Sequence, residues 1–114
     1  MWGCSGMVVK VNKITANNIN WITYLSEESQ RNVQLKLELM SKVIDLKQRV
    51  DLIQYAIENN KGSQDSLQYM EQVKQKTLDQ LKETEKHLLE TKKLIKSQYD
   101  LIDQLNKAKI HMFE

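Results

Sequence analysis

The sequence predicts an all-α protein: an antiparallel coiled-coil helical hairpin of two long helices, with a short N-terminal helix folding back to make a partial three-helix bundle. The chain of 114 residues contains no proline and only three glycines, so the residue types that interrupt helices are nearly missing. Apolar residues recur at alternating intervals of three and four over two long stretches, which is the heptad pattern of helices packed along a seam. A polar segment with one glycine separates these stretches and predicts a reversal of the chain.

The N-terminal segment differs in composition from the rest. Residues 1–14 predict an irregular arm, because two glycines and a group of β-branched valines favour extended chain over helix. Residues 15–114 predict a single helical domain, since the length is about that of one small domain. Its helices are expected at about residues 15–25, 27–59 and 64–111.

The first two of these helices are predicted from capping residues and apolar spacing. Thr15 can cap the short helix, whose asparagines make it dependent on contact with the rest of the chain. The long helix is expected to start at Ser26, because Glu27 and Glu28 would then interact favourably with its dipole. Its seam keeps an unbroken heptad register at Leu39, Val43, Leu46, Val50, Ile53 and Ile57. Flanking apolar residues predict more than one helical neighbour, and these are Leu35, Met40, Ile44, Leu52 and Ala56.

The segment NNKGSQDS, residues 59–66, predicts the turn of the hairpin. Gly62 is expected in a left-handed conformation that closes the first long helix, because glycine adopts it without steric cost. Ser63 is expected to cap the helix that follows. The chain should therefore reverse direction at Gly62 and Ser63.

The second long helix carries a threonine at every seventh residue in the middle of its seam, at Thr77, Thr84 and Thr91, with Leu81 and Leu88 between them. Two interpretations are open. The hydroxyls either bond to backbone carbonyls four residues earlier while a bulky side chain of the partner helix fills the space, or the threonine face is solvated. We favour the solvated face, in which case the contact runs along Leu78, Leu81, Leu88 and Ile95.

The C-terminal end of the second long helix is predicted to be an interface. At 1.5 Å per residue the two long helices measure roughly 46 Å and 69 Å, so the second extends beyond the first. The extension either packs against the short N-terminal helix or pairs with another chain, because exposed apolar residues at such a position usually mark an interface. The predicted interface residues are Ile95, Tyr99, Ile102, Leu105, Met112 and Phe113.

Composition disfavours most chemical functions. The formal charge is only +2 and both signs are interleaved, which leaves no basic surplus for phosphate binding beyond Lys10 and Lys13 near the start. Cys4 is the one cysteine, and His87 and His111 lie too far apart on one helix to share a site. We therefore expect no enzymatic activity, no cofactor, no metal and no small-molecule substrate.

The function that fits these expectations is a non-enzymatic coiled-coil scaffold or adaptor subunit, which assembles with other helical chains in a larger complex or with copies of itself. One alternative is a small helical chaperone that shields a client's amphipathic helix. A second is a weak membrane-surface or nucleic-acid binder that uses the basic N-terminal arm, although membrane and nucleic-acid partners are disfavoured by the charge. The lack of any apolar run long enough to span a membrane predicts a soluble protein. The single cysteine predicts a reducing intracellular compartment, with the cytoplasm as first choice and the mitochondrion as the alternative.

Overall fold

The protein consists of two long α-helices joined by a short turn. The computed structural model describes the backbone from Trp2 to Phe113 and the side chains of residues 19–108. Helix α1 spans Trp2–Glu58 and helix α2 spans Gln64–Phe113. The described chain contains no strand, and the two helices contact one another, so the prediction of an all-α helical hairpin is confirmed.

The N-terminal part differs from the prediction of an arm over 1–14 and a separate helix over 15–25. Helix α1 begins at Trp2 and passes through Leu25, Ser26 and Glu27 without interruption. The reason is that glycine and β-branched residues each cost a helix no more than about 1 kcal/mol, whereas proline, which would end it, is missing. Serine and the acids that suggested a new helix start are also tolerated inside one.

The helices contribute to two compact units, and the first, which we call the turn unit, comprises residues 34–92. Its core is the predicted seam of α1, where Leu39, Val43 and Leu46 are buried. Three further predicted seam residues of α1, Val50, Ile53 and Ile57, are half-buried. The heptad register therefore identified the face of α1 that packs in this unit.

The second unit, the terminal unit, comprises residues 1–33 and 93–114. Among its described side chains, Leu25, Ser29 and Ile95 are buried, and Asn32 and Gln98 are half-buried. Leu25, Ser29 and Asn32 are spaced by four and three residues, so α1 uses the heptad spacing here too. The core of this unit is thus partly polar.

The turn occupies residues 59–63, between the two helices. Ser63 caps α2 as predicted, with its Oγ accepting a hydrogen bond of 3.2 Å from the backbone N–H of Ser66. The prediction for Gly62 was wrong, because no described residue has a positive φ. The glycine instead lies close to the side chain of Asn60. Its N–H donates to Asn60 Oδ1 at 2.8 Å, and a Cβ would lie only 2.9 Å from that same oxygen.

Candidate interaction surface

The threonine ladder is buried, contrary to the solvated face favoured above. Thr77, Thr84 and Thr91 expose only 8%, 5% and 4% of their surface, whereas Leu78 is half-buried. Each hydroxyl donates to the carbonyl oxygen four residues earlier, at Val73, Gln80 and His87, over 2.8, 2.7 and 2.8 Å. The threonine face is therefore not solvated, and the hydroxyl bonds of the first interpretation are present. Sequence reasoning missed this because the local backbone can satisfy a buried hydroxyl without any distant partner.

Buried threonines of α2 and buried leucines of α1 occur at neighbouring levels of the turn unit. Thr84 lines two grooves on the protein surface. One groove is also lined by Leu39 and the other by Leu46, so Thr84 lies between the levels of these two leucines. Leu46 exposes only 2% of its surface. Thr84 and Leu46 are thus both buried in the turn unit, and the threonine face belongs to the packed side of α2.

The core of the terminal unit contains a layer of three polar side chains. Gln98 Oε1 accepts hydrogen bonds from Ser29 Oγ at 3.2 Å and from Asn32 Nδ2 at 3.0 Å. Ser29 exposes only 1% of its surface. Among the described side chains no buried polar atom lacks a hydrogen-bond partner, so this layer is internally satisfied. A polar layer of this kind favours one register of the helix pair over shifted ones, because a shift would bury unpaired polar atoms.

Polar contacts also cross the border of the seam in the turn unit. Lys74 donates from Nζ to Gln54 Oε1 at 2.6 Å. Lys47 Nζ lies 3.9 Å from Glu85 Oε1, and both side chains are exposed. Such an exposed pair contributes little to stability. The second contact nevertheless shows which residues of α1 and α2 lie at the same level.

The exposed faces also carry ion pairs between residues of the same helix. Asp45 and Arg49 are paired at 3.1 Å, as the spacing of four residues predicts. Arg31 Nη2 lies 2.7 Å from Glu28 Oε1, and the hydrogen bond and charge of this carboxylate raise the pKa of Arg31 above its usual value. The guanidinium is charged at all ordinary pH values in any case, so this pair is no proton-transfer group.

The residues predicted to form a C-terminal interface have different environments. Ile95 is buried in the terminal unit and is not accessible to another chain in this fold. Tyr99 is exposed, while Ile102 and Leu105 are half-buried. Met112 and Phe113 lie outside the residues whose side chains are described. Leu81 and Leu88, assigned to the hairpin seam, are half-buried between the buried threonines. An interface formed by the set as a whole stays a prediction.

A second apolar surface lies on α1, away from the seam. We call it the outer stripe, and its members are all exposed: Leu37, Met40, Ile44, Leu52 and Tyr55. The intervals of three, four, eight and three residues keep these side chains on one side of the helix. Met40, Ile44 and Leu52 belong to the flanking residues that were predicted to meet a further helical neighbour, together with half-buried Leu35. None of the five was among the predicted C-terminal interface residues.

The described residues contain no group of three or more side chains suited to hold a metal ion. The grooves beside Thr84 are lined mainly by charged residues that alternate in sign along the exposed helix faces. In the described part of the chain, neither helix has a stretch long and apolar enough to cross a membrane.

Comparison with known proteins adds no further constraint. No protein-family model matches the chain, and no curated protein or solved structure shows significant similarity to it.

Proposed function

We propose that this protein is a non-enzymatic helical scaffold or adaptor, in which an antiparallel coiled-coil hairpin presents α1 to other helical chains. The order of the contacts supports the antiparallel arrangement. In the turn unit Lys47 meets Glu85 and Gln54 meets Lys74, so rising residue numbers in α1 meet falling numbers in α2. The short turn of residues 59–63 is consistent with two neighbouring helices of opposite direction.

The single observation that carries the proposal is the outer stripe. Helix α1 already buries its seam face, yet Ile44, Leu52 and Tyr55 leave 57%, 68% and 67% of their surface exposed on another side. Isolated apolar residues are normal on a protein surface, but a set aligned along one helix usually marks a binding site. Its side chains are spaced by intervals of the kind through which binding partners contact the apolar face of an amphipathic helix.

The chemistry of the stripe favours a protein partner over other ligands. Aliphatic and aromatic side chains form most of it, and Gln48 and Asp51 are the polar residues among them, which suits the apolar face and polar border of a partner helix. The charges of the whole chain are interleaved, and this supports neither a nucleic-acid nor a membrane partner. The single cysteine supports a reducing intracellular compartment as the place of assembly.

The test is capture of partner chains by the tagged full chain from cells that express it, with two substitutions compared. Ile44→Glu places a charge on the outer stripe, and Leu89→Glu places one on α2 at a leucine of similar exposure, 54% against 57%. We expect the same helical partners with the wild type and with Leu89→Glu, and their loss with Ile44→Glu. Partners that bind all three chains equally would rule out the outer stripe as the binding site. A wild-type chain that captures no partner would contradict the adaptor function.

A further inference from the structure

The outer stripe contains both an exposed apolar side chain and a groove of the kind that receives such a side chain from a facing helix. Gln48, Asp51, Leu52 and Tyr55 line a shallow groove on the exposed side of α1. Residues at these spacings form the four corners of the hole that receives one side chain of a facing helix in coiled-coil packing. Ile44 lies one turn before this hole and is 57% exposed. The stripe therefore carries a knob and an empty hole side by side.

We infer that the partner of the outer stripe is a second copy of this chain, bound antiparallel through α1 about a two-fold axis near Gln48. Ile44 and Leu52 each lie four residues from Gln48, and Met40 and Tyr55 lie at nearly equal distances on its two sides. A two-fold axis at this level brings Ile44 of each copy into the hole around Leu52 of the other. Self-complementarity of this kind is the defining property of an isologous interface.

The charges at the borders of the stripe fit the same arrangement. In an antiparallel pair, residues on one border of a helix face the corresponding border of the second helix. Arg49 of one copy then lies beside Asp45 of the other, next to the ion pair of 3.1 Å that these residues form within each chain. Lys47 of one copy lies beside Asp51 of the other on the opposite border. Each acid thus meets a base, which favours this partner and this direction.

A parallel pair about the same stripe is disfavoured by the position of Ile44. In register, it would place Ile44 of each copy level with Ile44 of the other, one turn away from the groove lined by Gln48, Asp51, Leu52 and Tyr55. The antiparallel direction brings Ile44 of each copy to that groove on the other.

The size of the contact is that of a reversible dimer. The five exposed side chains supply on the order of 500 Å² of apolar surface per copy, near the upper range of patches on monomeric proteins. A standard interface buries about 800 Å² per partner, and the polar side chains at the borders of the stripe supply the rest. We therefore expect the dimer to form in the micromolar range rather than to be obligatory for folding.

The first experiment measures the mass of the purified full chain by sedimentation equilibrium at concentrations up to about 100 µM. We expect a concentration-dependent shift from the chain mass of 13.4 kDa towards twice that value. Ile44→Glu and Leu52→Glu should each weaken dimerisation about 100-fold or more, because a two-fold axis makes every substitution count twice. Leu89→Glu should leave it unchanged. All variants should keep the helical circular dichroism of the wild type, since these residues are exposed.

The second experiment determines the direction of the helices by disulfide formation in a Cys4→Ser background. Ile44→Cys and Leu52→Cys chains are oxidised separately and as a mixture. We expect the mixed disulfide to predominate, because residue 44 faces residue 52 of the second copy. Predominant Ile44→Cys self-pairing would overturn the antiparallel arrangement.

This inference rests on the proposed function only in that both use the outer stripe as an interface. A wild-type chain that stays monomeric at about 100 µM would overturn the second copy as the partner. The adaptor proposal would still stand if Ile44→Glu abolished capture of a different helical chain. Conversely, if the chain forms an antiparallel dimer but captures no other protein, this inference is supported and the adaptor function is ruled out.

Discussion

Replacement of Thr84 by valine and by alanine tests whether the threonine ladder is a packing surface. Thr84 is 5% exposed, and its hydroxyl donates to the Gln80 carbonyl at 2.7 Å. That carbonyl is also the acceptor of the regular helix hydrogen bond from the Thr84 N–H, so loss of the hydroxyl leaves no unpaired acceptor. The free energy of unfolding should therefore respond mainly to the packed volume at this position.

The two substitutions are expected to differ in a defined order. Valine loses a hydrogen bond with a net value of about 0.5 to 1.5 kcal/mol and gains a buried methyl worth about 0.8 kcal/mol, so its stability should stay close to that of the wild type. Alanine loses the hydrogen bond and a methyl group, leaves a cavity, and regains at most about 0.7 kcal/mol of helix propensity. The valine variant should thus be more stable than the alanine variant by about 1 kcal/mol.

Urea denaturation followed by circular dichroism, at one fixed chain concentration, measures this difference. The matched control is Thr23, an exposed threonine of α1 with the same type of hydrogen bond, from its hydroxyl to the Ile19 carbonyl at 3.0 Å. There the order should reverse, because alanine has the higher helix propensity and no packing is lost. An alanine variant at Thr84 as stable as the valine variant, or more so, would refute a buried ladder.

Three further predictions concern the polar contacts and the turn. Gln98→Ala should lower the free energy of unfolding by about 1 to 3 kcal/mol, since it removes the acceptor of the buried Ser29 hydroxyl. An unchanged free energy of unfolding in chemical denaturation would show that Gln98 does not satisfy the polar layer. Gly62→Ala should change stability by no more than about 1 kcal/mol, because φ is not positive and the new Cβ meets a mobile side-chain oxygen; a larger loss in the same assay would indicate a left-handed glycine. A double-mutant cycle on Lys47 and Glu85 should give a coupling energy below about 1 kcal/mol that decreases with salt, and a larger coupling would mean that the pair is less exposed than described.

The sequence by itself determined the helical class, the position of the turn and the face of α1 that packs. The absence of proline and the heptad spacing from Leu39 to Ile57 are local properties of the chain, and local backbone energetics decide where helices form. The cap at Ser63 was also predictable, because it depends on residues within one turn of helix. Predictions that needed a helix to end without proline failed in the N-terminal segment, since weak propensities do not stop a helix that has already formed.

Only the tertiary structure decided how the polar side chains of α2 are used. A threonine whose hydroxyl bonds to the carbonyl four residues earlier can face either water or a leucine, and the sequence does not distinguish the two. The rotation of α2 that buries Thr84 depends on the opposing side chains of α1. The partners of Gln98, Ser29 and Asn32, lie more than sixty residues away along the chain, beyond the reach of local spacing rules. The same holds for the outer stripe, because an apolar residue becomes a candidate for binding only once the packing of its helix shows that nothing in its own unit covers it.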